Sequence, residues 1–283
     1  KRRQTRNRMK ACTRSVTNSM PSCGPMLTDL SERSGNNPTT TSDSPAWLRT
    51  YLSSQLTDTI VPIAAGGRDY GVLRLRLNVD ALADSLWNTT LQALVRTQPL
   101  ATLVIAHEGA LHANHIPLFL DPHQGPHGTL LGHVARANGV WPLLPQQAVA
   151  VFHGPQAYIS PSWYPSKAVD GKQVPTWNYA TVHAHGTLSA VDDPVQLRAI
   201  LHILSERHEA HRPDPWRIDD APPDYIDKLL GAIVGIELAV ERWEGVWKVS
   251  QNRTDTDRAG VVQGLMAEGT SAAQDMAALV RVA

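Results

Sequence analysis

The chain has 283 residues, of which 42% are hydrophobic, so it is long enough to build one large domain or two ordinary ones around a substantial core. No apolar run approaches the ~20 residues of a membrane-spanning helix, and no apolar segment follows the basic first residues, so we expect a cytoplasmic protein without membrane contact. The formal net charge is zero, but residues 1–76 hold 12 of the 26 basic and 5 of the 26 acidic side chains, which leaves 14 basic and 21 acidic ones in residues 77–283.

The first 76 residues differ in composition from the rest. Residues 1–14 carry seven basic side chains and no acidic one, and residues 31–45, SERSGNNPTTTSDSP, offer little to bury. Because such composition is typical of disordered segments, we expect residues 1–76 to form a basic, low-complexity, disordered extension. Within it, AWLRTYLSSQL has weak helical spacing and GVLRLRL alternates like a strand. Cys12 and Cys23 both lie here, so the rest of the chain has no thiol.

From Leu77 onward the sequence alternates between helical and strand periodicity. Residues 79–97 place leucines at helical spacing until Pro99, and residues 100–106 form an apolar run typical of a buried strand. A turn at Glu108-Gly109 predicts a second strand. By the same criteria, strands are expected in GTLLGHVA, AVAVFHG, YATVHAHGTLSAV and VGIELAVERWEGVWKVS, and helices in DPVQLRAILHILSERHEAH and PPDYIDKLL. Short strands in series with a few helices predict a mainly β, α+β fold, a barrel with helical decoration.

The abundant histidines raise the question of a metal. His208 and His211 share a helix face with Glu209, but HEAH lacks the HExxH spacing and no third ligand is evident, so no metal site is predicted. His183 and His185 lie on one side of a predicted strand. They line a pocket or are simply half-exposed, and the sequence leaves both interpretations open.

Two stretches carry polar groups typical of a cofactor site. In GHVARAN, residues 132–138, a strand ends and His133, Arg136 and Asn138 follow near an expected helix start, where a guanidinium and backbone N–H groups can hold a phosphate. In residues 154–179, Trp and Tyr rings alternate with prolines that stiffen the backbone. Such rings either cover a flat aromatic ligand or fill a barrel end, and the residues alone leave both open.

Longer motifs then appear in order: PLATLV, NHIPLFLD, GTLLGHVARAN, FHGPQAYISPSWY, VPTWNYATVHAHG, IVGIEL, KVSQNR and DRAGVVQGL. Through them, residues 77–265 resemble the PaiB family of FMN-binding negative transcriptional regulators, named for the control of protease synthesis and sporulation. The family's usual opening, a Tyr-x-Pro-x-x-Phe-like stretch, is not recognisable at residues 78–83, which read NVDALA. Residues 1–76 match nothing in the family, and residues 266–283 are expected to form a C-terminal tail.

The resemblance implies an FMN-binding split β-barrel of the flavin-reductase and pyridoxamine-phosphate-oxidase kind, in which two subunits pair and FMN lies at their interface. It assigns the flavin phosphate to His133, Arg136 and Asn138, and it places Asn114 and His115 on the strand that faces the ring. The other residues that it places at the cofactor either close the pocket, in part from the partner chain, or lie at its edge: Tyr158, Ser160, Trp177, Asn178, Lys248, Gln251, Asn252 and Arg253.

The resemblance also implies a function. We expect an FMN-binding transcriptional repressor that acts as a homodimer on promoter DNA, rather than an enzyme. Two other classes stay open: a flavin-dependent oxidoreductase, which the barrel relatives imply, and a haem-binding or haem-degrading protein, because a histidine-rich split barrel can also hold haem. No helix-turn-helix pattern is evident, and the acidic balance of residues 77–283 opposes simple phosphate-driven binding of DNA.

Overall fold

The computed structural model describes residues 44–56, 59–65, 68–75 and 78–282. The helices of this part of the chain are α1 Ala46–Gln55, α2 Val79–Thr97, α3 Lys167–Asp170, α4 Pro194–Glu209, α5 Pro223–Leu230, α6 Asp255–Glu268 and α7 Ser271–Arg281. The strands are β1 Thr59–Ala65, β2 Arg68–Leu75, β3 Leu100–His107, β4 Ala110–Pro117, β5 Phe119–Asp121, β6 Thr129–Ala135, β7 Gln146–Ile159, β8 Thr176–Val191 and β9 Ile233–Lys248. Among the described helices, none combines the length and the apolar character needed to cross a membrane.

The main sheet closes on itself as an antiparallel barrel. Its strand order is β4-β3-β7-β8-β9-β6-β5, and every neighbouring pair is antiparallel. The two edge strands, β4 and β5, are separated in the sequence by Leu118 alone, whose amide donates to the Pro99 carbonyl at 2.9 Å. Strands that follow each other so closely can occupy opposite edges only if the sheet curls until its edges meet. The predicted mainly β, α+β split barrel is therefore confirmed.

The barrel interior is apolar because alternate residues of each strand point into it. On β8, Val182, Ala184 and Leu188 are fully buried, and the alternate residues His183, His185 and Thr187 are only partly covered. Phe152 of β7 and Ile236 of β9 are fully buried in the same core. Each long strand therefore has an apolar inner side and a more polar outer side, and only the outer side can offer hydrogen-bonding groups to a ligand.

Helix α2 covers the barrel with the apolar stripe that its leucine spacing predicts. Trp87, Leu91 and Val95 are buried, and the Trp87 ring packs edge-to-face on Trp247 of β9 with the centroids 5.0 Å apart. The helix approaches β9 so closely at Gly245 that a Cβ atom there would collide with the Leu91 side chain. A glycine at 245 is therefore what lets α2 lie on the sheet.

Residues 266–283, which the sequence predicts to form a C-terminal tail, include a packed helix. Ser271–Arg281 forms α7, which packs with α6 against β7. Met276, Ala277 and Val280 are buried in a second apolar cluster that α6, α7 and the end of β7 share. The apolar residues of this segment recur at helical spacing, so α7 has one apolar side, which it buries against α6 and β7.

The expected disordered extension also changes in part. Residues 1–43 lie outside the described residues, so that portion of the prediction remains untested. From Ala46 the chain forms α1, and the antiparallel β1–β2 hairpin follows. The Trp47 ring of α1 packs edge-to-face on Trp87 of α2, with the centroids 6.4 Å apart. The weak helical and strand patterns of this region therefore correspond to real elements, because α1 finds a packing partner in α2.

One local prediction near the barrel is wrong. After β6 the chain enters a turn and then a short 3-10 helix, Trp141–Leu143, rather than an α-helix. Pro142 lies in the first turn, where proline is tolerated, but Pro145 lacks the N–H that an α-helix would donate to the Trp141 carbonyl, so the helix ends after one turn. The predicted helix at residues 79–97 and the predicted strand at residues 100–106 are confirmed.

Candidate functional site

Strand β8 carries a polar outer side. From Trp177 onward its outward residues are aromatic, hydroxyl-bearing or histidine, while the inward ones are buried. The register places Tyr158 of β7 opposite Trp177, and Lys248 of β9 opposite Tyr179. We use the name outer face for ten outward residues of these three strands: His153 and Tyr158 of β7, Trp177, Tyr179, Thr181, His183 and His185 of β8, and Arg242, Glu244 and Lys248 of β9.

At one end of the outer face, aromatic rings border a shallow cavity of about 220 Å³. Trp177 meets Tyr158 edge-to-face with the ring centroids 6.2 Å apart, and each side chain is close to half exposed. His153, Tyr179 and Thr181 line the cavity together with Trp177. Exposed rings beside hydrogen-bonding groups can hold a flat aromatic ligand and fix its polar edge.

A cation lies one strand away from this cavity. Lys248 is exposed, pairs with the cavity residue Tyr179 and donates from Nζ to Thr176 Oγ1 at 2.7 Å. A lysine ammonium has three N–H donors, so this hydrogen bond leaves two of them for an anionic group.

Further along the outer face, His183 and His185 form a cluster with Glu244. The two imidazole centroids are 6.2 Å apart, and His185 Nε2 lies 3.3 Å from Glu244 Oε2. Arg242 Nη1 donates to the same oxygen at 3.0 Å. Burial lowers the pKa of His183 by more than the charge of Glu244 raises it, and the hydrogen bond from Arg242 lowers the pKa of Glu244. Both histidines are half-exposed members of a charged cluster.

The GHVARAN residues lie at the opposite end of the sheet. His133 of β6 pairs with Gly235 of β9. Burial lowers the pKa of His133, and within the described ranges its buried Nδ1 has no hydrogen-bond partner. Asn138 Nδ2 donates to Asn114 Oδ1 at 2.8 Å, which ties the turn after β6 to β4. His115, the next residue on β4, is exposed.

Arg136 is held by groups of the protein itself. Its Nε donates to the Gly231 carbonyl at 3.0 Å, and its Nη2 donates to the Ile233 carbonyl at 3.1 Å and to Asp192 Oδ1 at 2.6 Å. The guanidinium carbon also lies 5.5 Å from the Trp141 ring centroid. Because only a short 3-10 helix, and no α-helix, begins after this turn, the turn lacks the row of free backbone N–H groups at an α-helix start. The contacts instead join the end of β6 to β9 and to the start of α4.

A cavity of about 330 Å³ lies beside Arg136. It is lined in part by Asp192 and Asp227, and these carboxylates pair with Arg136 and Arg198 at 2.6 and 2.8 Å. Each guanidinium is thus already neutralised by a carboxylate, which makes the cavity a poor site for a phosphate dianion.

Two predicted residues near the aromatic end support the loops there. Ser160 accepts a hydrogen bond from the Ser162 amide at 3.2 Å and caps a short 3-10 turn. Asn178 is fully buried and donates from Nδ2 to Ser250 Oγ at 2.9 Å. Asn178 therefore points to the opposite side of β8 from Trp177, because successive strand residues alternate.

The KVSQNR residues after Lys248 form the turn between β9 and α6. Gln251 Oε1 accepts from the Val249 amide at 2.8 Å. The Arg253 guanidinium lies over the Tyr164 ring, 4.7 Å from its centroid, and donates to the loop at Gln173 Oε1 at 3.0 Å. Asn252, between them, is exposed.

The predicted residues do not come together within one chain. Trp177 pairs with Tyr158 near the start of β8, whereas Val191 at its end pairs with Gly235, the partner of His133. Trp177 and Val191 are 14 residues apart, which is about 46 Å along the strand at ~3.3 Å per residue. The strand curves, so the direct distance is shorter, but the two groups still occupy opposite ends of the sheet.

Sequence reasoning missed five residues of the outer face: His153, Tyr179, Thr181, Arg242 and Glu244. For Tyr179 and Thr181 the signal was available, because both share the alternation that places Trp177 outward. Glu244 reaches the face through its pairing with β8, and that pairing is not visible in the local pattern.

A family model described as "Putative FMN-binding domain" matches residues 85–242, which begin inside α2 and end within β9. The chain belongs to this family. The FMN-binding family match thus covers nearly the whole barrel, and it supports the flavin cofactor, FMN, that the sequence predicts.

The chain is also similar in sequence to curated relatives over most of their length. The chain is 34% identical over 200 residues to "Protease synthase and sporulation protein PAI 2" of Bacillus subtilis, which covers 70% of this chain and 91% of the relative. It is 31% identical over 238 residues to an uncharacterized protein of Aspergillus fumigatus, at 68% and 91% coverage. The FAD and haem binding protein from Mycobacterium smegmatis has a similar structure, with 17% identity, a TM-score of 0.42, and coverage of 56% of this chain and 70% of that one. The PaiB resemblance is confirmed.

The outer face fits FMN as one wall of a site. FMN combines a flat aromatic ring system with a phosphate of about two negative charges, and the face offers exposed rings, hydroxyls and Lys248. The cavity of about 220 Å³ is smaller than the ~300–1,000 Å³ typical of ligand pockets, so this chain alone does not enclose the cofactor. FMN, when bound, supplies electron-transfer chemistry, and the rings, hydroxyls and ammonium of the outer face are the groups that would hold it there.

Proposed function

We propose that this protein binds FMN on the outer face, works as a cytoplasmic homodimer, and regulates gene expression. The observation that carries the proposal is the exposed pair of rings, Trp177 and Tyr158, beside Thr181 and Lys248. Covering large aromatic surfaces contributes favourable free energy, since each ring buries on the order of 150–250 Å² when it is enclosed. A flat flavin ring is a ligand of the right shape for these surfaces.

A second copy of the chain would complete the site. In an isologous dimer, the surface that one chain presents meets the corresponding surface of its partner. The polar groups at the GHVARAN end, His133 and Asn114 among them, lie far from Trp177 in one chain. A twofold axis can bring the far end of the partner's barrel to the open side of the cavity. Each dimer would then contain two equivalent flavin sites.

Lys248 is our candidate for the phosphate. It is exposed, it lies opposite the cavity residue Tyr179, and two of its N–H donors are not used by Thr176. Arg136 is committed to two carbonyls and a carboxylate, and Arg253 to a ring and an amide. A charge-assisted hydrogen bond from Lys248 would strengthen FMN binding relative to riboflavin, which has no phosphate.

The regulatory part of the proposal rests on the family. The name of the Bacillus subtilis relative refers to protease synthesis and sporulation, which are controlled programmes rather than single reactions. Residues 77–283 carry 21 acidic and 14 basic side chains, so contact with promoter DNA requires a local basic surface rather than the charge of the whole domain.

Titration of FMN and riboflavin into the purified full chain, followed by flavin fluorescence, tests the site. Trp177→Ala should weaken both flavins about tenfold, the effect of losing one aromatic contact of ~1.4 kcal/mol. Lys248→Gln should weaken FMN by about tenfold to a hundredfold and leave riboflavin unchanged. Trp216→Ala and Lys228→Gln are matched controls, because both residues are exposed away from the outer face and neither change should alter binding.

Three further measurements test the remaining parts. Sedimentation should give a dimer at micromolar concentration, and a folded monomer that binds FMN normally would refute the shared site. The protein should slow the migration of a promoter DNA fragment in a gel, and added salt should weaken this binding. Steady NAD(P)H-dependent turnover of flavin, without any DNA shift, would replace the regulator with an oxidoreductase.

A further inference from the structure

Beside the cavity, the outer face brings together three side chains that can ligate a metal ion. His183 and His185 each offer a ring nitrogen and Glu244 offers a carboxylate oxygen, and these three atoms all lie within 4.8 Å of one another. His183 faces Glu244 directly across the β8–β9 pair, and His185 is its diagonal neighbour. The antiparallel register, rather than any spacing in the sequence, therefore assembles the set.

The dimensions suit a tetrahedral transition-metal ion. Zn²⁺ binds imidazole nitrogen and carboxylate oxygen at ~2.0–2.1 Å, which puts neighbouring ligand atoms about 3.3 Å apart. His185 Nε2 and Glu244 Oε2 already have a separation of 3.3 Å. The third ligand atom is within 4.8 Å of both, so small side-chain rotations of His183 can complete the geometry.

The hydrogen bonding at this cluster points the same way. His185 Nε2 is buried and makes no hydrogen bond to any described residue, although Glu244 Oε2 is 3.3 Å away. A nitrogen lone pair and a carboxylate that face each other are both satisfied by a cation between them. Arg242 Nη1 fixes Glu244 by donating to Oε2 at 3.0 Å, in the manner of an outer-shell partner that orients a ligand.

We propose that His183, His185 and Glu244 bind one divalent first-row metal ion of the Zn²⁺ type, with a fourth coordination position left open. The sequence predicts no metal because Glu244 comes 59 residues after His185. Three protein ligands and one open position are typical of sites that exchange water or a substrate, rather than of closed structural sites. Thr181, two residues before His183, lines the cavity, so the ion would lie beside the proposed flavin wall.

Calorimetric titration of Zn²⁺ alone into the chelator-treated full chain, without added flavin, tests the proposal independently of FMN. The measurement is best made in a Cys12→Ser/Cys23→Ser background, since the two thiols are themselves zinc ligands. We expect one ion per chain with micromolar or tighter affinity. His183→Ala and Glu244→Gln should each weaken binding at least tenfold to a hundredfold, the loss that removing even an outer-shell partner causes.

His202→Ala is the matched control. His202 forms an exposed histidine–glutamate pair with Glu206 on α4, with Nδ1 and Oε2 3.5 Å apart, but among the described residues no third ligand joins the pair. Its replacement should leave the zinc affinity unchanged. Co²⁺ provides a spectroscopic check, because a tetrahedral Co²⁺ site absorbs visible light, and His183→Ala should abolish that absorption.

The proposal is refuted if Zn²⁺ binds the parent only at millimolar concentration. It is also refuted if Glu244→Gln binds Zn²⁺ as tightly as the parent and the His202→Ala control do. Thermal melting of each variant establishes that it is folded. Glu244→Gln preserves the size of an exposed side chain, so the test stands even if an alanine variant proves unstable.

Discussion

Replacing Arg136 with alanine distinguishes a structural function of this side chain from a function in phosphate binding. The sequence assigns Arg136 to the flavin phosphate, whereas its guanidinium here donates to the carbonyls of Gly231 and Ile233 and to Asp192. The substitution leaves both carbonyls and the carboxylate without this donor. We therefore expect a loss of stability, with FMN and riboflavin affected alike.

The magnitude follows from the three contacts. The hydrogen bond to Ile233 is partly buried, and a charged donor to such a carbonyl is worth roughly 1.5 kcal/mol. The bond to Gly231 is exposed and adds about 0.5–1 kcal/mol, and the exposed ion pair with Asp192 adds about 0–1 kcal/mol. The sum is about 2–3.5 kcal/mol, which for a domain of this size lowers the melting temperature by roughly 4–14 °C.

Urea unfolding and thermal melting of the parent and the variant measure this loss. Arg198→Ala is the matched control, because Arg198 pairs with Asp227 in the same region through one exposed contact of 2.8 Å. We expect the control to lose less than about 1 kcal/mol. Flavin fluorescence titrations of the same proteins should give an unchanged ratio of FMN to riboflavin affinity.

One result would refute this reasoning. If Arg136→Ala melted like the parent while FMN bound about tenfold to a hundredfold more weakly and riboflavin bound as before, the guanidinium would be the phosphate ligand after all. The hydrogen bonds to Gly231 and Ile233 would then have to break when FMN binds, and Lys248 would lose its place in the proposal.

Two further predictions concern packing and pH. Gly245→Ala should destabilise the fold by roughly 1–3 kcal/mol in urea unfolding, because its methyl group meets Leu91, whereas Gly139→Ala, in open space, should be neutral; equal midpoints would contradict this account of how α2 packs. Burial raises the pKa of Asp257, but the hydrogen bonds from Ser166 and Thr254 and the charge of Arg253 together lower it by more, so the net shift is downward. Its stabilisation is therefore full above the unfolded-state pKa and is lost as the pH falls through the lowered value. Asp257→Asn should be less stable at pH 7 and should flatten the stability profile below about pH 4, and parallel urea profiles would rule this out.

The sequence by itself determined the elements and the family. The leucine spacing of residues 79–97 and the alternation in YATVHAHG predict a helix and a strand, because side-chain periodicity is set by local backbone geometry. The order of the long motifs indicated the FMN-binding family, and the alternation of β8 was sufficient to place His183 and His185 on one side. These are properties of short segments, so no knowledge of the partners is needed.

Only the tertiary structure decided which groups meet. Glu244 lies opposite His183 because of the strand register, and Asn178 points inward to Ser250. Arg136 donates hydrogen bonds to the carbonyls of Gly231, which precedes β9, and of Ile233, the first residue of β9. Each of these outcomes depends on contacts between residues distant in the chain. Local periodicity specifies which side chains share one side of a strand, but not which strand pairs with it. Strand pairing is set by the register and by the closure of the barrel, in which β4 meets β6. For the same physical reason α7 is packed rather than free, because its apolar stripe gains a partner only when α6 and β7 are in place.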